Sequence, residues 1–225
     1  NSSVLGNKEK NQRKVEVGDS IQLFDDYYDD CRIFSGKSSI EPESSDKKKG
    51  RAAVKITFDT GNYHGANLNF DEELKFEKAE LSGFALHFWA KLPREIQLSV
   101  GLTENTEHGN VKSEVNLFDY ISGSQLGEWT EVMIPLSKLP GSGMYWDNTT
   151  QSNVSVPIKW EHINSFSITI NTNGQKNLYE FYLDDISIVK NTVVEYSAKT
   201  LGIEEADFDE QTKDQNFTKI DLKPY

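Results

Sequence analysis

The chain has 225 residues, with 36 acidic against 24 basic side chains, a formal net charge of −12, and 36% hydrophobic and 11% aromatic residues. No run approaches the roughly 18 apolar residues of a membrane span, and the negative charge opposes binding to nucleic acid or anionic lipid, which draws on clustered Lys and Arg. A single cysteine, Cys31, excludes a disulfide framework and a thiolate metal cluster, and the length suits one large domain or two small ones.

Residues 1–18 are polar, carry no signal-peptide core and read as a flexible segment at a mature or trimmed terminus. Four Asn-x-Ser/Thr matches, at Asn1, Asn148, Asn153 and Asn216, are what a chain rich in Asn, Ser and Thr produces by chance. Residues 37–50 read as a polar loop. From Arg51 the texture changes to alternation of apolar and polar residues, the mark of a half-buried strand. Ala53–Phe58 alternates, as do Phe84–Ala90, Ile96–Leu102, Trp129–Ile134, Ser165–Ile170 and Glu180–Ile188. Ser137–Leu139 and Trp160–Ile163 read as single helical turns, and residues 61–67 and 141–148 as loops. No stretch of twelve residues shows a strong 3.6-residue period. Many short strands separated by Gly, Pro, Asn and Asp predict an all-β, two-sheet antiparallel sandwich over residues 19–190. Residues 191–225, with eight acidic and four basic side chains, form an acidic tail or linker.

Catalytic patterns are missing. Glycoside hydrolysis needs two carboxylates facing each other across a sugar, roughly 5–9.5 Å apart. Glu72-Glu73 and Glu204-Glu205 are adjacent pairs that point to opposite faces of a strand. Gly123-Ser124 lacks a nucleophile elbow, no two of His64, His87, His108 and His162 have zinc-site spacing, and Gly141-Ser142-Gly143 has no following helix or Lys. Asp207, Asp209 and Asp214 lack the central Gly and terminal Glu of an EF-hand loop.

What remains is aromatic and acidic. Sugars present flat C–H faces that stack on aromatic rings and hydroxyls that bond to short polar side chains. Two segments offer both: one around Tyr63 and His64, the other around Tyr145, Trp146 and Asp147. On the Phe84–Ala90 strand, Phe84, Leu86 and Phe88 alternate with His87 and Trp89, so a core-facing first set leaves His87 and Trp89 outward. The candidate ligand-binding residues are therefore Tyr63, His64, His87, Trp89, Tyr145, Trp146 and Asp147. The candidate metal residues are Asp25 and Asp26 near the start and Asp184 and Asp185 near the end. A Ca2+ ion takes roughly six to eight oxygens, which neighbouring edge strands can supply.

The order of these segments resembles the galactose-binding-like jelly roll of carbohydrate-binding modules, the group of families 4, 11, 22 and 30. Gln22–Asp26 matches the opening acidic strand, Gly50–Ile56 the Gly-led strand and Leu86–Lys91 the F-W-A-K strand. Trp129–Leu136 matches W-x-x-v-x-i-P-l, and Phe181–Ile188 matches f-y-l-D-D-I-x-i. The resemblance spans roughly residues 20–190. It implies a jelly-roll β-sandwich, non-catalytic binding of a β-glucan or related plant cell-wall polysaccharide or oligosaccharide, and one structural Ca2+ between the first and last strands. It also implies an extracellular or cell-surface bacterial setting, as a monomer or as part of a larger multidomain protein. Two other readings compete: a jelly-roll glycoside hydrolase or lyase, and a protein-interaction module of a surface assembly with the acidic tail as its contact.

Overall fold

A computed structural model describes residues 11–26, 31–33, 39–58, 63–121, 123–171 and 178–192, with the side chains of residues 31–33, 63, 124 and 146 outside that description. All described residues belong to one unit, Asn1–Thr192; Val193–Tyr225 is a separate unit that lies outside the described residues, so all but Asn191 and Thr192 of the predicted acidic tail does too. The described strands in chain order are β1 (Gln12–Lys14), β2 (Ile21–Phe24), β3 (Cys31–Ile33), β4 (Ser39–Glu43), β5 (Ala53–Phe58), β6 (Tyr63–Lys75) and β7 (Phe84–Lys91). They continue with β8 (Gln97–Thr106), β9 (Gly109–Asn116), β10 (Thr130–Pro135), β11 (Ser142–Asp147), β12 (Ser152–Pro157), β13 (Ile163–Asn171) and β14 (Tyr179–Lys190). A front sheet runs β1-β6-β13-β8-β9 with β3 added to β6. A back sheet runs β10-β7-β14-β5-β4 with β2 added to β14, and β11 and β12 form a separate hairpin. Among the described residues no helix is long and apolar enough to cross a membrane.

The alternation read from the sequence fixes which side chains meet between the sheets. Phe88, Val132 and Ile134 of the back sheet, with Leu183 and Ile186, are buried against Phe166 and Ile168 of the front sheet. Phe88 and Phe166 meet edge to face at 5.5 Å, spanning the two layers. Each such side chain contributes about 1.5–3 kcal/mol through the apolar surface it removes from water.

Five local expectations need correction. Residues 1–18 are not uniformly a flexible segment: Gln12–Lys14 pairs in parallel with Glu73–Lys75, and the adjoining Val15 is buried. The polar stretch 37–50 contains a strand, Ser39–Glu43, which pairs with β5 because Ile40 and Pro42 fall opposite Ile56 and Val54. Residues 141–157 form a hairpin, and Tyr63 and His64 open a 13-residue strand. Trp160–Ile163 is not a helical turn: Trp160 adopts φ 66° and buries its indole against Phe76. The Ser137–Leu139 turn is present as a 3-10 turn over Leu136–Lys138. In β14 a bulge at Asp185, φ 51°, inserts one residue, so Leu183 and Ile186 both face the core while Asp184 and Ser187 stay in register with outward-facing Trp89 and His87.

Candidate functional site

The sequence-predicted residues divide between opposite faces. On the back sheet, His87 and Trp89 do alternate outward from buried Leu86 and Phe88. His87 is fully engaged: its Nε2 lies 2.9 Å from Glu131 Oε1, and its Nδ1 lies 3.4 Å from Ser187 Oγ. Trp89 carries the Lys48 ammonium 4.0 Å above its ring, so that stacking face is taken by a cation. Trp129 and Tyr182 lie on the same side, 6.4 Å apart, with Asp46 accepting from Trp129 Nε1 at 3.0 Å and from Lys91 Nζ at 2.7 Å. The 44–51 segment thus straps this face.

On the front sheet the outward positions are small and polar. Neighbouring strands align Asn67 with Ser167 and Gly101, Asn69 with Ser165 and Thr103, and Gly65 with Thr169 and Ser99. Strand β9 adds Lys112 opposite Thr103 and Glu114 opposite Gly101. Lys112 Nζ donates to Thr169 Oγ1 at 3.0 Å, and Thr169 Oγ1 donates to Glu114 Oε1 at 2.9 Å. The result is a trough with a polar floor and a half-exposed rim of Asn69, Ser99, Lys112 and Glu114. In the floor, Asn67 (1% exposed), Thr103 (0%) and Ser167 (0%) keep side-chain polar atoms with no hydrogen-bond partner. A buried donor or acceptor left unpaired costs about 1–3 kcal/mol, and these three lie beneath the surface, with the half-exposed rim residues the ones that face solvent. None of these is among the candidate ligand residues that the aromatic and acidic patterns pick out, although Asn67 closes the 61–67 segment. Their signal is polar alternation, Asn67-x-Asn69, Ser99-x-Gly101-x-Thr103 and Ser165-x-Ser167-x-Thr169, which defines a second, non-core face.

Tyr63 opens β6 opposite Asn171, in register with these outward positions, while its side chain lies outside the described ones. His64 is one residue out of phase: it is buried and packs against Phe58 at 6.2 Å, so it does not share a face with Asn67. The β11–β12 hairpin packs along β9, with Gly143 so close to the Lys112 carbonyl that a Cβ would come within 2.2 Å of the oxygen. Tyr145 stacks on His108 at 4.7 Å, nearly parallel. Trp146 is in register with Asn153, and its side chain lies outside the described ones. Asp147 shapes the hairpin turn, accepting from Thr149 N and Thr150 Oγ1, both at 2.8 Å. These bonds, that from the Thr149 backbone first, hold its carboxyl below the usual range.

The acidic candidates converge on one segment. Asp184 Oδ2 accepts from Lys48 N at 2.7 Å and Lys49 N at 2.8 Å; Asp26 accepts from Arg51 N and, at 3.1 Å, from Arg51 Nε; Asp185 pairs with Lys49 Nζ. Asp25 is exposed. Gly50, φ 58°, admits Asp26: a Cβ there would overlap its carboxylate. Among the described residues no group of three or more His, Cys, Asp or Glu is placed to hold a metal ion. One oxygen is nonetheless orphaned: Asp184 Oδ1 is buried with no hydrogen-bond partner, and burial pushes the Asp184 carboxyl up despite the N–H bonds from Lys49 and Lys48. That orphaned carboxylate oxygen is of the hard type that Ca2+ takes, one donor of the roughly six to eight that the ion needs.

A family model described as Carbohydrate binding domain 30 matches residues 20–190. No curated protein matches the sequence. Among solved structures, the family 30 carbohydrate-binding module of the cellulosomal cellulase Cel9D-Cel44B of Clostridium thermocellum aligns with TM-score 0.59 and 13% identity, over 77% of this chain and 99% of that one. The family 11 module of Clostridium thermocellum in complex with a β-1,3-1,4-mixed-linked tetrasaccharide aligns with TM-score 0.53 and 13% identity, over 81% and 100%. At these identities the likeness is one of fold, and both are β-sandwich modules.

Proposed function

The chain belongs to the carbohydrate binding domain 30 family, and on that premise we propose that it holds a β-glucan or related cell-wall polysaccharide along the outer face of its front sheet. What supports this reading is the polar outer face of the front sheet, where small buried Asn67, Thr103 and Ser167 lie among half-exposed Asn69, Ser99, Lys112 and Glu114. Sugar hydroxyls act as both donors and acceptors, as such a face requires. Tyr63 at one end and the Tyr145–Trp146 hairpin beside β9 are the stacking partners in this reading, while Trp89 and His87 belong to the opposite face. The module binds without cleaving. Glu72 and Glu73 are neighbours on one strand and alternate to its opposite faces, and Glu73 is engaged with His162 at 2.8 Å. The module acts outside the cell, as one part of a glycan-degrading protein; the cellulosomal origin of the family 30 relative supports this. Affinity electrophoresis against soluble glucans, xylans and mannans is the test. Retardation by a glucan that Asn67→Ala abolishes supports the reading, and migration unaffected by every polysaccharide sinks it.

We propose in addition that Asp184 Oδ1 anchors one structural Ca2+, with Asp25, Asp26 and Asp185 the further candidate ligands. Its role is stability: an ion that binds only the folded state adds about 2.7 kcal/mol at a hundredfold excess over Kd. EDTA should lower the Tm of the full chain. A Tm unmoved by EDTA, with a drop on Lys49→Met, would instead assign charge balance at Asp185 to the Lys49 ammonium.

A further inference from the structure

A cleft of about 230 Å3 opens between the β8–β9 turn and the segment that joins β12 to β13. Its walls include Glu107, His108, Pro157, Lys159, Glu161 and His162. It does not include Asn67, Thr103 or Ser167, and none of these six wall residues is assigned a contact with the polysaccharide in the reading above.

Its 159–162 wall is locked from behind. The Glu104 carboxylate, 2% exposed, accepts from Lys159 N at 2.7 Å, Glu161 N at 2.9 Å and His162 N at 3.4 Å. Asn105 N donates to His162 O and Phe76 N to Trp160 O, at 2.9 and 2.8 Å. Together these bonds hold Trp160 at φ 66°, a left-handed conformation unfavourable for a bulky residue, with its indole buried edge-on against Phe76. Such strain persists only where the surroundings over-determine it, and it concentrates at binding sites. The facing wall is buttressed too: the His108 ring lies 4.7 Å from Tyr145 and within 6° of parallel. His162 is oriented by Glu73, 2.8 Å from its Nδ1. Rigid walls reduce the ordering cost of binding.

We propose that this cleft is a separate site for a single neutral pyranose unit. Its volume of 230 Å3 falls below the roughly 300 Å3 at which drug-sized pockets begin, which suits one ring. Glu107, Glu161 and His162 Nε2, left bare by the Nδ1–H bond to Glu73, offer acceptors to sugar hydroxyls, His108 and Lys159 offer donors, and Pro157 supplies an apolar surface for the C–H face. With two carboxylates against one ammonium, the rim disfavours a uronate.

The test is titration of the 15N-labelled full chain with methyl β-glucopyranoside and, separately, methyl β-glucuronide, read on the amides of residues 107–109 and 159–162. The expected result is a saturable shift with the glucoside, at least roughly tenfold weaker binding of the glucuronide, and roughly tenfold weakening by His108→Ala and by the conservative Glu161→Gln. Shifts retained in Asn67→Ala would show that the cleft stands apart from the trough, whichever way polysaccharide retardation turns out. No saturable shift up to about 100 mM, equal binding of the glucuronide, or variants within about twofold of the parent would overturn the proposal.

Discussion

Replacing Glu104 with Ala removes the acceptor for three backbone N–H groups at once. The bonds to Lys159 N and Glu161 N, at 2.7 and 2.9 Å, are short enough to carry weight; the third, at 3.4 Å, is not. Hydrogen bonds to a charged group contribute about 1.5–3 kcal/mol each, giving about 3–6 kcal/mol for the two. Lys159 and Glu161 are themselves exposed, so water replaces part of what is lost, and the expected cost is about 3 kcal/mol. For a domain of this size that is about 6–12 °C in Tm. Glu104→Gln keeps one oxygen acceptor and the side-chain shape, and should cost about half as much. Urea unfolding followed by tryptophan fluorescence and circular dichroism measures both variants. A loss below about 1 kcal/mol for Glu104→Ala would show that Trp160 is held at positive φ by its own burial and that Glu104 is incidental.

Phe88→Ala should destabilise by about 3–5 kcal/mol in the same assay, because the ring is fully buried against Phe166; a loss under about 1 kcal/mol would mean that β7 faces the other way. Trp89→Ala should fold and leave glucan retardation within about twofold of the parent, since Trp89 lies on the back sheet beneath Lys48; loss of retardation in a folded Trp89→Ala would move the site to that face. Tyr182, hydrogen-bonded to Glu180 at 2.6 Å, has its phenol pushed up to about 12, first by that bond and then by burial. The folded phenol keeps its proton more tightly than the unfolded one, so its contribution to stability is complete below about pH 10 and is lost as pH rises through about 12. Ultraviolet titration should show two late tyrosines among the described residues, Tyr182 and the buried Tyr179, of which Glu180→Gln returns only Tyr182 towards 10.

Strand positions and core were legible in the sequence wherever one face of a strand is apolar. Ala53–Phe58, Phe84–Ala90 and Ser165–Ile170 each declare their inward set by period two alone, and burying that set leaves a single choice of facing. Gln12–Lys14 and Ser39–Glu43 were not legible, because edge strands rich in charge carry little apolar alternation and form only where a neighbour offers unpaired backbone. The site divided along the same line. Sequence pointed to aromatic rings, and it correctly turned Trp89 and His87 out of the core. It could not tell that Lys48, 41 residues away along the chain, would cover the Trp89 ring, or that His64 would fall on the inward phase of β6. Nor could it align Asn67, Ser167 and Gly101, which come from three strands, or bring Glu104 beneath Trp160. Period within a strand is local and written in consecutive residues. Register between strands, and the segments that pass over a face, are set by contacts between residues far apart in the chain, and only the folded structure decides those.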